Sequence, residues 1–289
     1  ADRTTKATYA QVVGESGPLS YTIGGRYDDN DVFGSFRTAR AGVAWRARRG
    51  LTLRASAGSA FKAPTFLEQF STAFTVGNAA LEPERSRTIE AGLTQGLANG
   101  RAQIGATWFS QRFHDMIQYT FVDVSSPNYF NVAAASARGV ELEASSRVGH
   151  EAHIAAQVTL LKTRVDDAGF DEGPNANFVE GNRLLRRPSV TAAVTGRTNL
   201  TSRLTFDARI LHVGKRDDRD FSTFPATPLT LDSYRRVDLG FSYRLTGYVP
   251  AFTLFMRAEN VLDSEYQEVA NFEAPGRTII VGARVVARR

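Results

Sequence analysis

Residues 235–245, RRVDLGFSYRL, alternate strictly between apolar and polar side chains. The apolar positions are Val237, Leu239, Phe241, Tyr243 and Leu245. Successive side chains of a β-strand point to opposite faces, so this pattern predicts a strand with one apolar face and one polar face. A soluble sheet turns its apolar face toward a protein core, whereas a transmembrane barrel turns it toward lipid.

The same alternation recurs along the whole chain and predicts about thirteen strands. The other runs cover residues 6–14, 19–28, 37–48, 51–60, 87–96, 101–119, 140–144, 150–165, 190–195, 204–210, 252–259 and 276–287. No amphipathic helix is predicted. No repeat of fixed period is present, which argues against a propeller or a solenoid.

The segments between these runs alternate in length. Short, turn-like segments lie at 15–19, 48–50, 97–101, 147–151, 199–203 and 245–250, and longer ones at 28–36, 61–86, 122–136, 166–188, 217–230 and 271–276. Such alternation is typical of an antiparallel up-and-down barrel with one short-turn rim and one long-loop rim. The acidic clusters fall on the long-loop side, and Arg48, Arg49, Arg101, Arg147 and Arg203 on the short-turn side.

Strand length and aromatic placement favour a membrane barrel over a soluble all-β protein, which remains the alternative. Runs 101–119, 203–216 and 233–245 are long enough to cross a bilayer as tilted strands. Aromatic residues near the predicted strand ends fit interfacial girdles. They are Tyr21, Tyr27, Trp45, Trp108, Tyr119, Tyr234, Tyr243 and Tyr248.

Composition excludes several classes of function. The chain has 35 Lys and Arg against 30 Asp and Glu, and this small, dispersed excess does not indicate a nucleic-acid partner. The absence of cysteine excludes disulfides, zinc–thiolate sites and thiol catalysis. No run is apolar and long enough for a transmembrane helix. No nucleophile or phosphate-loop motif is present, so we expect no catalytic residues, no cofactor and no enzyme activity.

Three segments, in this order, resemble TonB-dependent outer-membrane receptors. They are FKAPTFLEQF (61–70) with NAALEPERSRTIEAGL (78–93), NYFNVAAASARGVELEA (128–144) and AENVLDSEYQEVANFEAPGRTIIVGARV (258–285). The segment LLRRPSV (184–190) also resembles a strand entry of that family. The similarity runs from about position 54 to the end of the chain. Residues 1–53 fit as earlier barrel strands.

The resemblance implies an all-β fold: an antiparallel up-and-down transmembrane β-barrel, integral to the bacterial outer membrane. Family barrels have about 22 strands and enclose a plug. Residues 1–289 are therefore expected to form a partial barrel domain without the plug or its energy-coupling box. The implied partners are outer-membrane lipid and lipopolysaccharide, a plug domain or the missing barrel portion, and the coupling protein TonB acting through the plug.

The resemblance implies energy-coupled uptake of a scarce nutrient of the iron–siderophore or cobalamin class. A passive porin-like channel and a surface-binding structural barrel remain alternatives. Aromatic side chains on the long loops are the candidate ligand-binding residues, because they offer a large contact area. They are Phe66, Phe70, Phe74, Tyr129, Phe130, Phe178, Phe221 and Phe224. The alternative is that these rings pack the loops against one another.

Acidic loop residues are weaker candidates for a calcium site, because Ca²⁺ prefers clustered carboxylate oxygens. They are Asp28, Asp29, Asp31, Asp217, Asp218 and Asp220, and solvated loop carboxylates are the alternative. No other metal site is expected. Gly139 and Gly240 lie within predicted strands, where glycine permits close packing or a bend.

Overall fold

The computed structural model describes residues 2–47, 50–119, 125–149, 151–169, 176, 178–223, 225–245 and 251–286. Their strands are β1 Thr5–Ser16, β2 Leu19–Asn30, β3 Gly34–Arg46, β4 Leu51–Lys62, β5 Glu84–Leu97, β6 Ala102–Tyr119, β7 Tyr129–Val148, β8 Ala152–Asp167, β9 Val190–Asn199, β10 Leu204–Val213, β11 Arg216–Asp220, β12 Thr227–Leu231, β13 Tyr234–Leu245, β14 Ala251–Glu259, β15 Gln267–Val269, β16 Phe272–Glu273 and β17 Thr278–Val286. One short helix, α1, spans Phe66–Phe70, and a 3-10 turn spans Ala98–Gly100.

Thirteen of these strands form one antiparallel sheet in the order β1 to β10, β13, β14 and β17. Each strand of this sheet pairs with the next one along the chain, apart from two short hairpins that lie outside it. The prediction of about thirteen strands in an up-and-down arrangement is confirmed. The hairpins β11–β12 and β15–β16 form separate two-stranded sheets and were not predicted.

Consecutive antiparallel pairing places alternate connections on opposite rims of the sheet. The short-turn rim carries the connections 17–18, 47–50, 98–101, 149–151 and 200–203, while the predicted turn at 245–250 lies almost wholly outside the described residues. The long-loop rim carries a turn at 31–33 and the connections 63–83, 120–128, 168–189, 214–233 and 260–277. The predicted alternation of short and long connections is therefore confirmed for five of the six long segments.

Two predicted loop segments belong largely to strands. The expectation of a long loop at 28–36 is wrong, because Asn30 pairs with Gly34 and a three-residue turn suffices. Gly34 adopts a φ of 79°, which favours glycine. The predicted loop 122–136 is too long at its end, because Tyr129 already pairs with Tyr119 and begins β7.

In strands β2 and β5 the apolar face is more exposed than the polar face, which reverses the pattern of a soluble sheet. In β5, Ile89 is 56% exposed and Leu93 41% exposed, whereas Thr88 and Glu90 are half-buried. The same face continues from strand to strand. One row of directly paired residues runs Leu53, Leu93, Ala106, Leu142 and Val158.

The described residues contain no apolar core that could cover this face. The buried apolar cluster consists of Val165 and Phe178, with Met116, Ala168 and Leu184 packed against them. An exposed apolar surface of this extent must be covered by something other than water. The hydrocarbon layer of a membrane fits a sheet whose side chains alternate between an apolar and a polar face. None of the helices in the described part of the chain is long and apolar enough to cross a membrane.

Most predicted girdle aromatics lie on the exposed apolar face. Tyr21, Trp45 and Tyr243 are exposed close to the short-turn rim. Trp108 is exposed farther up, in the row Ala91, Trp108, Val140 and Leu160. Tyr234 departs from the prediction because it is buried under the long loops, and Tyr248 lies outside the described residues.

The two strand glycines permit close packing, as predicted. A methyl group at Gly139 would collide with the backbone carbonyl of Leu160 and the ring of Phe109. At Gly240 it would collide with the carboxylate of Asp207 on the neighbouring strand.

The orientation of the sheet predicts effects of different size for two adjacent substitutions in β8. Val158→Arg places a charge on the lipid-side row and should lower the free energy of unfolding in lipid vesicles by about 2–4 kcal/mol. Gln157→Arg adds the same charge on the polar face, directly opposite Glu143, and should change it by less than about 1 kcal/mol. Urea titration in vesicles measures both values. A larger loss for Gln157→Arg would contradict the assignment of the faces.

Candidate functional site

The connection 63–83 is a folded segment rather than an open loop. Helix α1 begins with a capping box, in which the Thr65 hydroxyl accepts from the Glu68 amide at 3.2 Å and the Glu68 carboxylate accepts from the Thr65 amide at 2.6 Å. Gly77 packs so closely on the backbone at Gln69 and Phe70 that no side chain fits there. The sequence TFLE carries the capping signal, but no helix was predicted from it.

Two asparagines clamp this segment onto the β6–β7 hairpin. Asn128 and Val76 exchange two hydrogen bonds, with the Asn128 amide donating to the Val76 carbonyl at 2.8 Å and the Asn128 Oδ1 accepting from the Val76 amide at 2.7 Å. The Asn131 side chain also makes two hydrogen bonds to Glu82, with Nδ2 donating to the Glu82 carbonyl at 2.9 Å and Oδ1 accepting from the Glu82 amide at 3.0 Å. Glu84 accepts from the Ile117 amide at 2.8 Å. These motif residues therefore fix the loop to the wall.

The clamped segment presents aromatic rings at the rim. The guanidinium of Arg3 lies 5.0 Å from the ring centre of Phe33 and 4.9 Å from that of Phe66, and it donates to the Pro64 carbonyl at 2.7 Å. Phe66 and Phe70 are about half exposed, with their ring centres 6.3 Å apart. Phe74 is fully exposed.

The other candidate aromatics lie in different environments. Tyr129 packs edge-on against Tyr119 at 5.6 Å, and Phe130 is half-buried in β7. Phe178 is buried against Val165, where it supports the loop, while Phe221 is exposed with Arg186 over its ring at 5.7 Å. Phe224 lies outside the described residues. The rim thus offers Phe66, Phe70, Phe74 and Phe221 to solvent, and their role in ligand binding stays a prediction.

Asp218 joins three of the long connections. Its Oδ1 accepts from the Arg186 Nε and from the Arg219 amide, both at 2.8 Å, and its Oδ2 accepts from the Ala270 amide at 2.8 Å. The Arg186 amide also donates to the Asp217 carbonyl at 2.7 Å. The connections 168–189, 214–233 and 260–277 are therefore tied together at one buried carboxylate, which we call the Asp218 junction.

A second set of contacts reinforces the junction. The Asp220 Oδ1 accepts from the amide and hydroxyl of Ser222, at 2.8 and 2.6 Å, and from Asn271 Nδ2 at 2.6 Å. These hydrogen bonds, the Ser222 hydroxyl's first, hold the pKa of Asp220 below its usual value.

Below the junction, buried Arg216 donates to the Gln267 carbonyl and lies 5.5 Å from the ring centre of Tyr234. Tyr234 in turn stacks on Tyr266 with ring centres 3.9 Å apart and hydrogen bonds Glu268.

Asn260, in the segment 258–285 that resembles the receptor family, stabilises a turn. Buried Asn260 has a φ of 49°, and its side chain both donates to the Ser264 carbonyl and accepts from the Ser264 amide at 3.0 Å. Its backbone amide donates to Asp238 at 3.0 Å. An asparagine that closes a left-handed turn in this way explains why the sequence needs this residue before β15.

The calcium candidates are dispersed and largely occupied. Asp28 lies within β2 and pairs with Arg26 at 2.6 Å, while Asp31 accepts from the Thr4 amide at 3.0 Å. Asp29 lies opposite Lys6, and Asp217 meets Thr230 at 3.4 Å. In the described ranges no group of three or more His, Asp or Glu side chains is arranged to hold a metal ion. The calcium hypothesis stays a prediction. Two of its candidate carboxylates, Asp28 and Asp218, already form ion pairs with arginine.

A groove of about 450 Å³ lies beside the Asp218 junction. Connection 168–189 forms one wall and the β11–β12 hairpin forms the other. The groove is lined by Val179, Gly181, Asn182, Arg183, Leu185, Asp217, Asp218, Arg219, Pro228, Leu229 and Thr230. Arg183 is exposed, and no ion pair joins it to another described residue. The groove therefore combines apolar contact area with an available cation, which suits a ligand with an anionic or acceptor group.

A long antiparallel meander with an exposed apolar face and loops gathered on one rim defines the wall of a transmembrane β-barrel. A family profile described as "TonB dependent receptor-like, beta-barrel" matches residues 1–261. The chain belongs to this family.

Individual relatives agree with this assignment. The vitamin B12 transporter BtuB of Vibrio cholerae is 28% identical over 277 residues, covering 96% of this chain and 41% of BtuB. The siderophore receptor PirA from Acinetobacter baumannii superposes with a TM-score of 0.76 at 16% identity, over 97% of this chain and 45% of PirA. The iron transporter FrpB from Neisseria meningitidis gives 0.75 at 17% identity, over 97% and 45% of the two chains. The chain spans less than half the length of these relatives.

The Asp218 junction predicts a local loss of order when its carboxylate is removed. Asp218→Ala leaves the Arg186 guanidinium and the Ala270 amide without their acceptor, and the rim should lose about 3–5 kcal/mol of local stability. Hydrogen exchange at the Ala270 amide should then accelerate by at least about a hundredfold. The matched control is Asp217→Asn, whose carboxylate makes only a long bond to Thr230, and it should leave this exchange rate unchanged. Equal rates in the wild type and Asp218→Ala would show that the junction does not hold the loops.

Proposed function

We propose that this chain is part of an outer-membrane receptor that captures a scarce nutrient of the iron–siderophore or cobalamin class and admits it by energy-coupled transport. The observation that carries the proposal is the interlocking of three long connections at the Asp218 junction, directly beside a groove on the same rim. The names of the relatives, a vitamin B12 transporter and a siderophore receptor, support the same class of function.

Interlocked loops favour high-affinity capture. A binding surface that is already ordered loses less conformational entropy on binding than one that must fold around its ligand. The junction orders the two walls of the groove, because Arg186 belongs to the connection that forms one wall and Asp218 lines the other. Scarce nutrients require affinity more than throughput, and a preorganised rim suits that requirement better than an open pore does.

The polar face of the sheet suits a water-filled interior that holds a second domain. Arg54 reaches across to the hydroxyls of Thr94 and Thr107 at 2.9 and 2.6 Å. Glu141 and Glu143 lie farther along the same face. In the proposed assembly, residues 1–289 form one partial barrel domain, and the remaining barrel and a plug are supplied by other sequence. TonB would act through that plug, and the outer membrane is the proposed location.

The proposed role requires no bond chemistry in this chain. The wall separates lipid from water, the loops bind, and the moving part is the plug. A passive porin-like channel and a surface-binding barrel use the same wall, so energy dependence separates them from the receptor.

Uptake in cells provides the test of the proposal. A strain that lacks the gene and a complemented strain are compared for uptake of labelled cobalamin and of labelled ferric siderophores, with and without a functional TonB. The receptor requires saturable uptake of one of these nutrients that is restored by the gene and lost without TonB. Uptake that persists without TonB would favour the passive channel, and no uptake of either class would overturn the proposal.

Of two exposed arginines on the same connection, only the one that lines the groove should affect the affinity for the nutrient. Arg183→Gln removes the available cation and should raise the half-saturating nutrient concentration at least about tenfold, because one charge-assisted hydrogen bond contributes about 1.5–3 kcal/mol. The matched control is Arg187→Gln, four residues along the same connection and also exposed, but outside the groove lining. Equal half-saturating concentrations for the two variants would remove the groove from the binding site.

A further inference from the structure

Four arginines on the polar face of the sheet lie near the short-turn rim. Arg147, Arg197, Arg244 and Arg284 belong to β7, β9, β13 and β17, and all four are exposed. Successive side chains of a strand alternate between the faces, so Tyr243 beside Arg244 is exposed on the lipid side while Arg244 points to water. We call these four residues the mouth arginines.

The strand register places the mouth arginines in two short rows. The members of each row are direct pairing partners: Arg147, His153, Arg197 and Asp207 in the first row, and Arg244, Thr253 and Arg284 in the second. These rows contain four arginines and a single carboxylate. The polar face therefore carries an excess of positive charge at this rim.

Two more exposed arginines lie at the turns beside these rows. The Arg147 amide donates to the Arg101 carbonyl, and the Arg244 amide donates to the Arg203 carbonyl, both at 2.8 Å. Glu151, in one of these turns, accepts a hydrogen bond from a neighbouring asparagine. Within the described part of the chain, none of the six arginine side chains has a hydrogen-bond or ion-pair partner.

The other carboxylates near this rim do not neutralise the mouth arginines. Glu15 forms an ion pair with Arg46 at 2.9 Å. Asp207 is the direct pairing partner of Arg197, but it leans over Gly240 on the opposite neighbouring strand, where its carboxylate fills the space that a side chain would need. The excess charge at the rim is therefore not balanced from within the described wall.

Several arginines farther along the polar face do have acceptors. Arg26 pairs with Asp28 at 2.6 Å and Arg236 pairs with Asp238 at 2.9 Å. Arg54 donates to two threonine hydroxyls. Opposite charges placed together in this way stabilise a wall, whereas unpaired like charges do not. The mouth arginines thus require an anion from outside the wall.

The position of the mouth arginines indicates the kind of anion. They lie on the polar face, so lipid headgroups on the other face are not their partner. In outer-membrane barrels the short turns face the periplasm, where a transported nutrient would leave. At the opposite rim the groove also presents an arginine without an ion pair, Arg183. Both ends of the wall therefore offer guanidinium groups to a molecule that crosses it.

We propose that the mouth arginines form a second, weaker binding site for the transported nutrient, which carries several anionic groups, as a carboxylate-bearing iron chelate does. Alternate strands lie about 10 Å apart, so Arg147 and Arg197 together select a ligand with more than one anionic group. An uncharged nutrient would gain nothing from such a site. The inference rests on the proposed function, because an exit site requires a nutrient that crosses the barrel.

Binding of citrate, a tricarboxylate, tests the site directly in protein purified in neutral detergent. The chain has no native cysteine, so a fluorophore on Thr253→Cys, between Arg244 and Arg284, reports binding at this place. Citrate should give a saturable response that weakens when the ionic strength is raised, because salt screens exposed charges. Triethyl citrate, its uncharged ester, should give none. Equal responses to the two molecules, or none to citrate, would overturn the proposal without the need for a variant.

A charge-matched pair of variants tests the residues. The first carries Arg147→Gln, Arg197→Gln, Arg244→Gln and Arg284→Gln. The control removes four exposed cations from the lipid side of β5 to β8, through Arg87→Gln, Arg112→Gln, Arg138→Gln and Lys162→Gln. The affinity for citrate should fall at least about tenfold in the first variant, because the loss of one charge-assisted hydrogen bond is already enough for that change. It should stay within about twofold in the control. Wild-type affinity in the first variant would contradict the assignment.

Uptake kinetics separate this site from the proposed function. For the nutrient that the wild type takes up, the first variant should lower the maximal rate at least about threefold and leave the half-saturating concentration unchanged, because capture takes place at the opposite rim. Arg183→Gln should do the reverse. If the wild type shows no saturable uptake, the proposed function fails, and the citrate titration still decides whether the anion site exists. An unchanged maximal rate in the first variant would show that the nutrient does not use the site, and the proposal would fall.

Discussion

Backbone hydrogen bonding inside hydrocarbon is the constraint on which this structure depends. No water reaches that layer, so every amide and carbonyl of a spanning segment must find its partner within the protein. Thirteen strands, each paired with the next strand of the sheet, meet this requirement along most of their length, and the outer edges of β1 and β17 are unpaired. Once the backbone is satisfied in this way, the period-two alternation of side chains decides which face meets lipid and which meets water.

The type of side chain on the sheet then varies with position along the strands, from the short-turn rim to the long-loop rim. Near the short-turn rim, Tyr21, Trp45 and Tyr243 mark one boundary of the apolar band. The interlocked loops lie beyond the strand ends at the long-loop rim. The polar face lies on the opposite side of the same sheet. A single sheet thereby provides a lipid contact, a lining for water and a platform for binding loops.

The sequence predicts the sheet well because its period is local: the alternation around Leu239 is visible without any partner strand. It predicts the rim poorly because the rim depends on distant contacts. The hairpin residues Arg216–Asp220 have no apolar pattern, and the Asp218 junction orders them through Arg186 and Ala270. Buried Phe178 and fully exposed Phe74 look alike in sequence.

The most direct test of this account is a cysteine scan of β5 by electron paramagnetic resonance, which the absence of native cysteine makes clean. Spin labels at positions 88 to 93 of the protein in lipid vesicles are compared for collision with oxygen, which concentrates in hydrocarbon, and with a water-soluble nickel complex. The account predicts oxygen maxima at Ile89, Ala91 and Leu93 and nickel maxima at Thr88, Glu90 and Gly92. The opposite phase, or no alternation, would contradict it.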